Sequence, residues 1–258
     1  MKQIGFKQFY FFLFFFAIFR IQLLQSAINL HGQTGALLTP SPITLEQGKH
    51  QGAFHFWPYQ RVNLNGQKIE ELAELSFKYN YGVLENFEVG IEKSYTQDSQ
   101  VPERGLCLSA KYSFPKISIS AGLLSEQSAY THIYLVAGEK YAYIGGGMTT
   151  GPDYRFSLRR PQKFKYGRFG GYDYNKFQGS GHPDDFFVFL GGEFSVTEWV
   201  DFVYDFDGNR FGSGLRFNWK DMYYADLFFI SDGDYNDLPP GITRRDQRNL
   251  ILGIGAKF

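Results

Sequence analysis

The sequence predicts an all-β protein, an antiparallel transmembrane β-barrel of about 12 strands. An export signal, repeated alternation of apolar and polar residues, and a last strand ending on an aromatic residue carry that expectation. The export signal comes first in the chain. Lys2 and Lys7 supply positive charge, and Phe9 to Phe19 is an unbroken apolar run that Arg20 ends. A run of about eleven residues suits a signal peptide and falls short of the roughly 20 that a spanning helix needs. Ser26 and Ala27 are small residues where a peptidase could cut, so 1–27 is expected to be a signal peptide, with an uncleaved anchor as the alternative. Cleavage there removes Lys2, Lys7 and Arg20 and no acid, leaving 23 cations against 26 acids, a net charge of −3. Neither nucleic acid nor an anionic surface is implied as a partner.

Composition agrees with a barrel. The chain holds 28 Phe, 18 Tyr, 3 Trp and 29 Gly, yet only 43% of it is hydrophobic. No segment beyond the signal region has the apolar length of a spanning helix, whereas alternating barrel strands combine aromatics, glycine and moderate polarity. A soluble β-sandwich shares that composition. The lone Cys107 cannot form an internal disulfide.

Alternation of period two recurs down the chain. Leu75, Phe77, Tyr79 and Tyr81 share a face opposite Glu74, Ser76, Lys78 and Asn80. Phe87, Val89 and Ile91 oppose Glu88, Gly90 and Glu92, and the same rhythm runs through GLCLSAKYSF and ISISAGL. In a sandwich the small and charged face points to water; in a membrane barrel it lines the lumen. Tight connections (LEN, PK, GEK, VTE, WKD) alternate with longer polar ones, and only Asp207–Asn209 breaks that order by being short. Short and long connections in turn are the pattern of periplasmic turns and external loops. The count is 12 strands, or 14 if YRFSL and FKYGRF form a hairpin within the long loop 150–185. Residues 28–49 are expected as a periplasmic segment and 50–258 as the barrel.

The chain ends NLILGIGAKF, placing Leu250, Leu252, Ile254, Ala256 and Phe258 on one face. A closed barrel must pair its last strand with its first, because an open edge in lipid leaves backbone groups unpaired. Leu250, Leu252, Ile254 and Phe258 are therefore the expected assembly signal for the barrel assembly machinery.

Two stretches carry a more particular likeness. Gly32–Ala53 reads GQTGALLTPSPITLEQGKHQGA, and further on stands FFVFLGGEFSVTEWVDFVYDFDGNRFGSGLRF. Both are similar to YjbH-like outer-membrane barrels, a family associated with exopolysaccharide. The resemblance implies an outer-membrane location, a role assisting exopolysaccharide production or export, and polysaccharide or export proteins as partners. Family members in exopolysaccharide operons are much longer, so this chain would be a short, single-barrel member.

Charged residues in the later strands make the candidate site. Asp201 and Asp205 share a face of one strand, and Arg210 and Arg216 share a face of the next. A hairpin through Asp207–Asn209 brings these rows together, where opposite charges facing the lumen would pair. The outcome is either a salt-bridged filling of the barrel or a charged constriction that selects solutes. Glu74, Lys78, Glu88, Glu92, Lys111, Glu193 and Asp226 could extend the network.

Enzymatic readings find little support. His31, His50, His55, His132 and His182 have no metal-ligand spacing, and Gly145–Gly147 opens no helix that would cradle phosphate. Ser180-Gly181-His182 lacks a convincing acid partner. No catalytic residue, cofactor or metal is expected. Besides the exopolysaccharide role, the function classes are a small-solute porin and a structural barrel with a filled lumen, both embedded in outer-membrane lipid.

Overall fold

The computed structural model describes residues 27, 29, 33–62, 68–96, 106–126, 131–150, 186–208, 211–231, 244–246 and 250–258. Its strands are β1 (His50–Val62), β2 (Lys68–Leu84), β3 (Phe87–Thr96), β4 (Cys107–Phe114), β5 (Ile119–Glu126) and β6 (Thr131–Glu139). Then follow β7 (Ala142–Thr150), β8 (Phe186–Thr197), β9 (Val200–Phe206), β10 (Phe211–Trp219), β11 (Tyr223–Ile230), β12 (Arg244–Asp246) and β13 (Leu250–Lys257). From β1 to β11 each strand pairs antiparallel with its sequence neighbours, β11 pairs with β13, and β12 and β13 both pair with β1. They are two segments of one final strand, so the sheet is a closed antiparallel barrel of 12 strands. The alternative hairpin within 150–185 lies outside the described residues, apart from Thr150 at the end of β7.

Closure is made at the end of the last strand. Phe258 N–H donates to the His50 carbonyl at 2.8 Å, and His50 N–H donates to the Phe258 carbonyl at 3.0 Å. The edge that would otherwise be left open in lipid is paired there.

At one end of the barrel the connections are tight, at Glu85–Asn86, Pro115–Ser118, Lys140–Tyr141, Glu198–Trp199 and Lys220–Met222. Lys220 and Asp221 both have positive φ (52° and 56°), the conformation of a two-residue turn that matches strand twist. The expected alternation of short and long connections is present in the chain's order.

The direction of the two faces decides between barrel and sandwich. Leu75, Phe77, Leu108, Leu135, Ile144 and Ile254 point outward, and Leu135 and Ile254 are 59% and 64% exposed. Their alternating neighbours Ser76, Lys78, Ser109, Val136, Tyr143 and Ile251 are buried inside. An outward apolar surface around a closed wall is stable in hydrocarbon and unfavourable in water.

The lumen is less uniformly small and charged than the alternation suggests. Tyr134, Tyr143, Phe187, Phe189, Tyr224 and Phe228 also point inward and are buried. Each stands directly across from a glycine on the adjacent strand: Gly122, Gly191, Gly147, Gly145, Gly255 and Gly214 respectively. The ring lies over its partner glycine, where a Cβ would collide with it. Glycine-rich strands here are seats for aromatic rings.

Candidate functional site: an occluded lumen

The segment before β1 occupies the lumen. Gln33 to Ser41 and Leu45 are buried, and Ala36, Leu37 and Leu38 join one apolar cluster with Tyr134, Tyr143, Phe187, Phe189, Val203 and Phe228. The sequence places residues 28–49 on the periplasmic side; the structure puts Gln33–Leu45 inside the wall. Its sequence, QTGALLTPSPITL, carries no charge and two prolines, so it brings few groups that would be expensive to bury.

The segment folds back on itself as a tight hairpin. Gly35 bridges to Pro40, Ala36 N–H donates to the Thr39 carbonyl at 3.1 Å, and Ser41 N–H donates to the Thr34 carbonyl at 3.0 Å. Leu37 and Leu38 form its tip, near Gly212 at the start of β10. Toward the turn end the chain runs against β2, where Gly48 N–H donates to the Gly82 carbonyl at 2.8 Å. A side chain at Gly82 would run into the Glu46 carbonyl, so this close approach requires glycine.

A buried segment that joins no sheet must find partners for its backbone elsewhere. The wall supplies them from five strands. Glu88 on β3 accepts from Thr34 N–H at 3.0 Å and Leu45 N–H at 2.7 Å. Lys111 on β4 donates to the Thr34 carbonyl at 2.8 Å and the Ser41 carbonyl at 3.1 Å, while ion-pairing with Glu88 at 3.1 Å. Ser113 on β4 and Ser120 on β5 both donate to the Pro42 carbonyl. The Tyr143 hydroxyl on β7 accepts from Ala36 N–H at 3.2 Å. Asp205 on β9 accepts from Leu38 N–H and, at 3.1 Å, from Thr39 N–H. Part of the lumen charge is thus the hydrogen-bonding complement of the segment that fills it.

A second cluster joins wall residues of β1, β2, β8, β10 and β11. Arg216, fully buried, donates from Nε to Asp226 Oδ1 and from Nη1 to Glu193 Oε2, both at 2.8 Å. Lys140 Nζ stands 3.0 Å from the other Glu193 oxygen. Asp226 Oδ2 is 3.4 Å from His55 Nε2, and Lys78 donates to His55 Nδ1 at 2.8 Å and to Ser76 Oγ at 2.5 Å. With Nδ1 accepting from the ammonium, Nε2 carries the hydrogen that points at Asp226. His55 and Asp226 reach each other across β13 because Gly253 lies in register with both.

The residues expected to form one charge network therefore divide. Asp201, Asp205 and Arg216 are all buried and face the lumen. Arg216 is in register with Asp201, but its guanidinium turns to Asp226 and Glu193. Asp201 instead accepts from Ser195 Oγ at 2.6 Å and Asn218 Nδ2 at 2.7 Å. Asp205 holds the hairpin tip. Arg210 lies outside the described residues. Of the expected assembly signal, Leu252, Ile254 and Phe258 point outward and Leu250 is half-buried. Sequence reasoning missed the filling segment, Tyr143, Ser113, Ser120 and His55. Its usable signal was a charge-free, proline-containing stretch directly before the first strand.

Fold and lumen together define a class, a transmembrane β-barrel of outer-membrane type whose lumen is occluded by its own chain. No protein-family model matches the sequence, and no curated protein matches it. Among solved structures the chain is similar to the COG4313 outer membrane channel from Pseudomonas putida F1 (10% identity, 83% of this chain and 96% of that one, TM-score 0.42). It is also similar to the Acinetobacter baumannii outer membrane protein Omp33 (9% identity, 83% and 98% covered, TM-score 0.35). A further likeness is to the N-terminal β-barrel domain of Pseudomonas aeruginosa OprF (7% identity, 83% and 100% covered, TM-score 0.23).

Proposed function

We propose that this protein is a closed accessory barrel of the outer membrane, assisting exopolysaccharide production or export through its rim and loops. The observation that carries the closed state is the burial of Gln33–Ser41 and Leu45 in the lumen, with the segment hydrogen-bonded to wall residues on five strands. A passage for solute needs water along the axis, and here that volume holds polypeptide. The polysaccharide assignment rests on the YjbH-like character of Gly32–Ala53 and of the run from Phe186. The aromatics and arginines of 150–185, such as Tyr154, Arg159, Arg160 and Tyr172, have the chemistry for stacking on sugars and pairing with anionic glycans. The protein acts without catalysis of its own.

A small-solute channel is the second reading, favoured by the carboxylates buried along the wall. Planar-bilayer recording separates the two. The intact protein is expected to insert without conducting, and a steady conductance from it would establish the channel instead. Exopolysaccharide secreted by cells lacking the protein is expected to fall, and unchanged secretion would remove the polysaccharide role.

A further inference from the structure

We propose that the lumen is a latent cation-preferring conduit for which Gln33–Leu45 is a removable stopper. The inference rests on the closed state proposed above and adds that the wall is built to stand without its filling. Strand number supplies the first argument. Eight strands enclose a lumen that side chains alone can fill, and diameter grows roughly in proportion to strand number. Twelve strands leave a core that the wall's side chains do not fill, and here a piece of main chain occupies it. Withdrawing that piece opens a path along the axis, lined by the wall's charges and by the rings of Tyr134, Tyr143, Phe187, Phe189 and Phe228 that packed against it.

The second argument is how the wall charges are partnered. Lys140, Glu193, Arg216, Asp226, His55 and Lys78 partner one another without the stopper. Glu88 and Lys111 grip the stopper, yet they also hold each other at 3.1 Å. Both groups keep an ionic partner when the stopper leaves. Asp205 differs. Its Oδ2 takes the hairpin tip from Leu38 and Thr39, and its Oδ1 has no hydrogen-bond partner among the described residues. Asp205 is thus the latch, released into water when the tip withdraws.

The third argument is sign. Among the described residues, seven carboxylates are buried on the wall and at its loop end: the five already described, Glu92 in the inward row of Glu88 on β3, and Asp207 just past the inward row of Asp201 and Asp205 on β9. Among the same described residues, Lys78, Lys111 and Arg216 are the buried lysines and arginines. Lys140 and Lys257 at the rim raise the cations to five, which still leaves two carboxylates in excess. An aqueous path lined this way concentrates cations and repels anions.

Three proteins, refolded and checked for heat-modifiable mobility, test the proposal in bilayers under a potassium chloride gradient. The intact chain is the silent reference, so conductance from it would count against the closed state and not against the stopper. Deletion of residues 33–45 should give a steady conductance whose reversal potential lies on the potassium side. Asp205→Ala should give brief openings of the same sign, at least tenfold more frequent than in the intact chain. A deletion that folds but stays silent, or conducts without cation preference, overturns the proposal. Should the deleted chain fail to assemble, Asp205→Ala decides: openings of potassium preference sustain the stopper, and a folded, silent variant overturns it.

Discussion

At the scale of single residues, the lumen is a set of mutual fits, and two of them give sharp tests. Tyr134 lies over Gly122, which is in register with it on β5. Gly122→Val puts methyl groups where the ring sits and should cost about 1–3 kcal/mol by overpacking. Because the obstruction is a side chain, Gly122→Val combined with Tyr134→Ala should cost clearly less than the two single losses added, as measured by urea unfolding of the reconstituted barrel. Additive losses would mean the ring does not depend on the glycine. The second fit is Arg216 with Asp226 and Glu193. Asp226→Ala leaves part of the guanidinium charge uncompensated in a buried site, and a loss on the order of 3–5 kcal/mol is expected. Asp226→Ala with Arg216→Ala should be strongly non-additive, whereas Asp205→Ala with Arg216→Ala should be close to additive, since the two share no partner. Reversed coupling would return Arg216 to the acidic row of β9.

At the scale of elements, the segment before β1 depends on a few wall side chains rather than on a sheet. Glu88 alone accepts from Thr34 and Leu45 and balances Lys111. Glu88→Ala should therefore loosen the segment more than it disturbs the strands. The expected readout is cleavage within 33–45 by added protease, at least several-fold faster than in the unaltered protein, with the barrel's heat-modifiable band retained. Equal resistance would show that the apolar contacts of Ala36, Leu37 and Leu38 suffice to hold it. Two further serines, Ser113 and Ser120, converge on the Pro42 carbonyl, so losing either one alone should matter less than losing Glu88.

At the scale of the whole molecule, the outward apolar surface makes a depth-dependent prediction. Leu135 stands mid-strand on β6 and is 59% exposed, whereas Ile117 lies in the turn after β4 and is 63% exposed. In lipid, Leu135→Arg should cost about 2–4 kcal/mol and Ile117→Arg about 0–1 kcal/mol, because the price of a cation rises toward the bilayer midplane. A water-facing surface would show no such difference. Equal, small effects at both sites, measured by unfolding in vesicles, would remove the transmembrane reading.

Much of this architecture was legible in the chain itself. Alternation from Leu75 to Tyr81 and from Leu106 to Phe114 set which face of each strand goes to lipid, because a strand has only two faces and period two names them. Tight connections such as LEN and WKD set the strand count and the end at which the turns lie. The same period placed Asp201, Asp205 and Arg216 on the inward face. Which inward groups meet could not be read the same way. A closed lumen brings together residues far apart in sequence, so Arg216 turns from Asp201, its register partner, to Asp226 and Glu193. His55 reaches Asp226 only because the chain leaves Gly253 empty between them. The filling segment lay furthest beyond sequence reasoning. QTGALLTPSPITL belongs to no strand, and its place depends on a lumen that exists only once twelve strands have closed around it.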